Sequence, residues 1–421
     1  MSRTLFLPRS SARGVVGLSV YLPACRAVGV RTGSAHIFRY PRLFCRTVVM
    51  VGGGGTAEEK KPKGESVPHL ERTAGEPREK SLIPVVIQRV DRVNDQIRLF
   101  RLGLPASAQP VKFLPGQWLD VYCPGIAKAG GFTLTSSPST ALPRNAPATT
   151  GHGSSAESNS TDNGIGRGYL ELAVQRSPDN PPAAWLWQDQ DAPDHVTSGG
   201  EHRSSSTDSD TSSAVIGREL QVRIGGSFTW PPPPTVDVAS LRKVVFVAGG
   251  VGVNPLMSML SYLAEGPSGV DGVRNHQFEV EFLYSVKDPA GGGVSGSKKA
   301  MGEQRRGEEV LFLDRIARVF EEGHVKGRLR LFLTGLATGD GTNGEVVCAD
   351  AGIKIPFEKR RITVDDVASV IQSTDGPSAA KDAAVVYICG VPSMTDEFVR
   401  QLTDPEGVGM ARDRVLCEKW W

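Results

Sequence analysis

The chain has 421 residues and a formal net charge of +2, so it is long enough for two domains of ordinary size. Its 48 Gly and 29 Pro exceed what packed helices and strands take up, so part of the chain must be loop. Of the 48 Lys and Arg set against 46 Asp and Glu, eight Arg lie in residues 1–50, which hold no Lys and no acidic residue; the remainder is net acidic, 40 against 46, and this argues against nucleic acid as a partner.

The basic N-terminus reads as an address. Arg3, Arg9, Arg13, Arg26, Arg31, Arg39, Arg42 and Arg46 are spaced among Ser and small apolar residues, the composition of an organelle transit peptide over 1–50. Mitochondrion is the first choice and plastid the second, with cleavage expected between about Thr47 and Glu58. The apolar stretch Gly14–Val30 is interrupted by Pro23 and Arg26 and falls short of the ~20 residues of a membrane helix, so no transmembrane segment is expected. Residues 51–80 run Gly-rich and then charged, as a linker does. Cys25, Cys45, Cys123, Cys348, Cys389 and Cys417 contain no CxxC and no iron–sulfur spacing, so no metal site is expected and reduced thiols are the default.

From Ile83 the pattern is one of short strands. PVVIQRVDRV, QIRLFRLGLP, GQWLDVYCPG, GGFTLTSSP, GYLELAVQRS and RELQVRIGG are rich in Val, Ile and Leu and are punctuated by turn residues. Six such runs within 81–234 predict a small antiparallel barrel. Ser/Thr/Asn/Gly-rich tracts at 144–168 and 194–213, and a third at 288–307, have too little apolar content to offset their ordering entropy and are expected to be disordered insertions. Over 241–421 the pattern becomes strand–helix alternation. KVVFVA, VEFLYSV, RLRLFLTG and AVVYICG each precede a helix-period segment, which predicts a doubly wound α/β domain with a parallel sheet covered on both faces. Thr363 and Asp366 have capping-box spacing at the start of one helix.

Two turns carry the candidate chemistry. Gly249-Gly250-Val251-Gly252-Val253-Asn254-Pro255 follows a buried strand and opens a helix. Glycines there let the backbone approach a pyrophosphate, and the amides of the helix start bind the anion. Asn254 suits the helix N-cap and Pro255 the first helical position. A branched residue at Gly250 or Gly252 should therefore occupy the pyrophosphate's place and abolish binding. The second turn is Cys389-Gly390-Val391-Pro392-Ser393-Met394, again between a buried strand and a helix, where strand ends line a ligand crevice.

With GGxGxxP and CGxPxxM on the first and fourth strands, and a barrel before them, the chain resembles the ferredoxin–NADP reductase superfamily over roughly residues 83–421, insertions apart. The resemblance implies a barrel of the FR-type flavin-binding fold followed by the nucleotide-binding domain. It also implies that Cys389 stands beside a nicotinamide ring, and that Glu418 and Trp421 match a C-terminal region whose aromatic covers the flavin in some members. Phe132, Thr133 and Ser136 match the family's flavin strand, but Gly130 stands where the family has the Arg that holds the FAD phosphates. The family's second phosphate contact, a Gly-x-x-Ser helix start, corresponds here to Asn180-Pro181-Pro182-Ala183-Ala184-Trp185. Both clamps are weakened, so FAD should be loosely held, and Gly130→Arg should tighten it. The implied dinucleotide is NAD, with NADP as the alternative, because Lys287 and Asp288 at the end of the second strand supply a cation and a carboxylate together.

The expected function is an NAD(P)H-dependent flavin-type oxidoreductase passing electrons to an unnamed acceptor. The alternative is a non-enzymatic NAD(H)-binding descendant acting as a sensor or assembly factor, favoured by the missing Arg. A scaffold with neither ligand fits poorly with the intact Gly249–Pro255 turn.

Overall fold

A computed structural model of the chain describes residues 67–105, 110–142, 168–188, 214–266, 277–289, 307–335, 344–348, 352–372 and 380–419. The expected transit peptide, the first part of the linker, almost all of the three insertions and Trp421 lie outside the described residues.

Six antiparallel strands build the first sheet: β1 (Ile83–Asn94), β2 (Ile97–Gly103), β3 (Trp118–Tyr122), β4 (Gly130–Thr133), β5 (Tyr169–Gln175) and β6 (Glu219–Gly225), in the order β4-β3-β6-β1-β2-β5. A bridge between Leu134 and Leu172 joins the end of β4 to β5 and closes the ring into a barrel. Closure removes the two exposed edges that an open sheet of this length would present. Alternation sends Val85, Ile87, Phe100, Leu102, Leu119, Val121, Leu170, Leu172, Val222 and Ile224 to one buried cluster inside it. A six-residue helix, α2 (Pro181–Leu186), adds Ala183, Trp185 and Leu186 to that core.

Structure begins earlier than the sequence suggests. Residues 67–80, read as linker, include one helical turn, α1 (His69–Arg72), and pack on the outside of the barrel. The cause is Asp120 of β3, a fully buried carboxylate with three side-chain partners, two of them arginines. His69 Nε2 lies 2.8 Å from Oδ1, while Arg78 Nε and Arg223 Nε donate to Oδ2 at 3.1 and 2.8 Å. Burial opposes ionisation, but the hydrogen bonds from His69 and Arg223 and the charge of Arg78 outweigh it and hold Asp120 below the usual carboxylate range.

The second sheet has seven strands: β7 (Lys243–Gly249), β8 (Glu279–Lys287), β9 (Gly327–Thr334), β10 (Gly344–Cys348), β11 (Ile353–Glu358), β12 (Ala384–Cys389) and β13 (Val415–Glu418), in the order β10-β11-β9-β8-β7-β12-β13. All neighbours are parallel except β10 and β11. The central strands β7 and β12 are buried on both faces, as their unbroken apolar runs require. Val244, Phe246, Val385 and Tyr387 face one core with α3 (Val253–Glu265) and α4 (Leu313–Glu321). Val245, Val247, Val386 and Ile388 face the other with α5 (Val364–Gln372) and α6 (Pro392–Thr403). The architecture is therefore an antiparallel barrel followed by a doubly wound α/β sheet. Among the described residues, no helix is long and apolar enough to cross a membrane.

Candidate functional site

The chain leaves β7 for β8 and β9 on one side, then crosses back to β12 on the other. The order reverses between β7 and β12, and in sheets of this kind the crevice beyond the strand ends at such a point takes the ligand. Gly249 ends β7 and Cys389 ends β12. These strands pair in parallel register, Ala248 opposite Cys389, and Cys389 in turn lies opposite Glu418 of β13. Topology thus brings both candidate turns and Glu418 to one end of the sheet.

The glycines have different tasks. Gly250 adopts φ +56°, a left-handed conformation that suits glycine, and a Cβ there would meet nothing within 4 Å. Gly252 points the other way, since a Cβ on it would collide with the carbonyl oxygen of Cys389. Gly249 and Gly390 face each other, and a Cβ on Gly249 would stand 3.2 Å from the Gly390 Cα and from Met394 Cε. Three of the four glycines therefore let the two turns pack together, and only Gly250 opens toward free space. Gly249, Gly250 and Val251 are half-buried and Val391, Pro392 and Ser393 exposed, so these residues form the accessible mouth. Val253 and Pro255 are buried with the core.

Asn254 is not the N-cap. Gly252 holds that place, and Asn254 sits in the first turn of α3. Its Nδ2 donates to the Ala173 carbonyl of β5 at 3.1 Å, while its buried Oδ1 has no hydrogen-bond partner. The side chain is spent on holding the helix start against the barrel. Four residues on, Ser258 Oγ donates to the Ser136 carbonyl at 2.7 Å. At the far end of α3, Ser137 and Ser139 both donate to Glu265 at 2.6 Å. Glu171 of β5 accepts from Thr135 Oγ1 at 2.9 Å and takes both arms of the Arg315 guanidinium, at 2.6 and 3.0 Å. Sequence reasoning missed Glu171 and Arg315, because nothing local marks a charge pair 144 residues apart.

Cys389 is buried, and desolvation together with the neighbouring Glu418 carboxylate pushes its thiol well above the ordinary value. It is a neutral, compact wall of the crevice and a poor nucleophile. At the end of β8, Lys287 is exposed while Asp288 is buried, its backbone N–H donating to the Thr334 carbonyl. Among the described residues no group of three or more His, Cys, Asp or Glu could hold a metal ion. A polar groove of about 460 Å³ lies between α5 and the C-terminal end of α6, lined by Asp365, Gln372, Arg400 and Asp404.

The barrel side departs from a flavin site. A Cβ on Gly130 would stand 2.6 Å from the Phe132 ring and 2.7 Å from Pro182 Cβ, so any side chain there must displace the ring or the proline. The expectation that Gly130→Arg tightens flavin binding therefore meets a physical obstacle. Phe132 packs against the barrel core. Thr133 and Ser136 are buried, and Ser136 Oγ accepts the backbone N–H of Glu171 at 3.2 Å as part of barrel closure. At the start of α2, Pro181 and Pro182 carry no N–H, and the side chain of Asn180 accepts the N–H of Ala183. Two donors are missing and the next is engaged, so the residues present do not fit FAD phosphates.

No protein-family model matches the chain. Sequence comparison does find relatives. The protein named oxidoreductase NAD-binding domain-containing protein 1 is 27% identical in Bos taurus over 355 residues, covering 84% of this chain and 85% of that one. Its Danio rerio counterpart is 26% identical over 353 residues, covering 84% and 97%. The chain is similar to oxidoreductase NAD-binding domain-containing protein 1. Solved structures with a similar course include a ferredoxin NADP+ reductase from Neisseria gonorrhoeae with bound FAD and NADP, 15% identical with a TM-score of 0.44, covering 82% of this chain and all of that one. A flavohemoglobin from Malassezia yamatoensis with bound FAD and heme is 13% identical with a TM-score of 0.46, covering 83% of this chain; the chain spans 62% of the flavohemoglobin's length.

Proposed function

We propose that this chain is an oxidoreductase-type protein that takes a nicotinamide dinucleotide at the β7–β12 switch point. The observation that carries the reading is the meeting of two glycine turns there, with Gly249–Val251 and Val391–Ser393 left accessible around the N-terminus of a 13-residue helix. The backbone at Gly250 admits a phosphate closely, and the start of α3 favours the negative charge. A bound dinucleotide would supply a hydride. The chain's own part is to orient the ring end against Cys389, Gly390 and Glu418, with the protonated thiol of Cys389 contributing shape and no charge. Lys287 is the accessible charge at the end of β8, placed to meet a 2′-phosphate, whereas Asp288 is turned inward and unsuited to a ribose hydroxyl. The reading therefore takes NADP as well as NAD.

Calorimetric titration of the full chain with NADH and NADPH tests this. One saturable site per chain is expected, and Lys287→Glu should weaken NADPH about tenfold while changing NADH less. No binding of either dinucleotide would remove the reading. The crowding at Gly130 favours a second reading, a protein that binds NAD(H) without turnover. Oxidation of NAD(P)H by an added artificial acceptor separates the two, since binding without turnover supports the second.

A further inference from the structure

We propose that the barrel holds no resident FAD, and that an apolar staple of Gly130, Phe132 and Pro182 stands where the phosphate clamp of a flavin barrel would be. The inference concerns the barrel and the segments packed on β4, so it holds or fails independently of dinucleotide binding at the β7–β12 switch point. Three observations converge on it. First, the missing Cβ of Gly130 is the room that the Phe132 ring and Pro182 use, 2.6 and 2.7 Å from where that atom would be. Second, α2 starts with two prolines, and its next amide is capped by Asn180, so it offers an anion none of its first three N–H groups. Third, the opposite face of β4 is covered too. A Cβ on Gly131 would collide with the His69 ring, which stands edge-on to Trp118 with centroids 4.8 Å apart and bonds to buried Asp120. Segment 67–80 and α2 thus clasp β4 from both sides, and its two central residues, Gly131 and Phe132, are half-buried.

Ser136, a polar residue kept from the flavin pattern, has other work. Ser136 takes the Glu171 N–H, and the carbonyl of the same residue takes Ser258 of α3. Its presence follows from closing the barrel and seating the helix, and a flavin is not needed to explain it.

The test uses the full chain expressed in flavin-replete cells. Flavin released by heat from the purified protein is quantified against protein, and FAD is then titrated by quenching of its fluorescence. No stoichiometric flavin is expected. One FAD per chain would overturn the proposal. So would a tenfold or larger gain in FAD affinity on Gly130→Arg, whose side chain would first have to displace Phe132 or Pro182. The staple itself is read by a pair of substitutions. Gly130→Ala pushes a methyl group into Phe132 and Pro182 and should lower the thermal midpoint by roughly 2–10 °C. In the background of Phe132→Ala, where the ring is gone, the same change should cost markedly less. Equal costs in both backgrounds, or no cost in either, would show that the ring does not occupy that space.

Discussion

At the scale of single residues, the two inner glycines of the turn should separate cleanly. Gly252→Ala places a methyl group in the Cys389 carbonyl, where backbone must move, and should lower stability by about 1–3 kcal/mol. Gly250→Ala meets no atom but must hold φ +56°, at about 1–2 kcal/mol. Urea midpoints measure both, and a Gly252→Ala protein as stable as wild type would mean that the two turns do not pack as described. Where Gly252→Ala is destabilised as expected, loss of dinucleotide binding in a Gly252 variant reports a disturbed turn and not a blocked phosphate. The motif Gly249–Pro255 was legible in the sequence, yet its division of labour was not. A linear pattern records that the backbone must come close to something, and only the neighbouring strand shows that for Gly252 this is Cys389. Asn254 is a similar case. Its residue type fits a cap, but a barrel strand 81 residues earlier in the chain claims its amide.

At the scale of elements, helix α5 shows how far local chemistry reaches. Thr363 and Asp366 form the reciprocal cap that their spacing predicts: Asp366 Oδ2 accepts the Thr363 N–H at 2.9 Å, and Thr363 Oγ1 accepts the Asp366 N–H at 3.3 Å. The sequence does not reveal that Arg330 and Arg360 also converge on this carboxylate. Burial works against its ionisation, but the Arg360 and Thr363 hydrogen bonds prevail and hold Asp366 far below the ordinary carboxylate range. A depressed folded value stabilises the protein above the unfolded value, about pH 4, and this contribution is lost as pH falls toward the folded value. Stability should therefore drop on acidification below about pH 4, and Asp366→Asn should lower it at neutral pH and flatten that acid limb. A pH profile with the same slope in both proteins would contradict the assignment. Most strands were readable from alternation or from unbroken apolar runs. The exceptions are β10, β11 and β13, which have 5, 6 and 4 residues. Pro356 is tolerated in β11 opposite Glu345 in the hairpin at the sheet's edge. In the helix-period segment after VEFLYSV, the α-helix starts only at Leu313, because Phe312 takes φ +61° and breaks the run.

At the scale of the whole molecule, the boundary between barrel and sheet is written in composition, but the seam is not. Its contacts come from residues distant in the chain: Asn94 to the Glu309 carbonyl, Tyr387 to the Thr229 carbonyl, Glu171 to Arg315. One apolar core runs across it as well, since Ala173, Phe228 and Trp230 cluster with Val244, Phe246, Leu256 and Tyr387. Trp230 stands 5.4 Å from Phe278 and 6.2 Å from Tyr387, centroid to centroid. Glu171 receives both the hydroxyl beside the barrel's closing bridge and the guanidinium of α4, so one carboxylate serves both halves. Such sharing has a thermodynamic meaning: neither half has a boundary across which it could melt alone. Calorimetry should show a single endotherm whose van't Hoff and calorimetric enthalpies agree, and two resolved transitions would contradict it. A fragment cut before Leu241 would present Phe228 and Trp230 to water and should aggregate, however complete its own ring of strands.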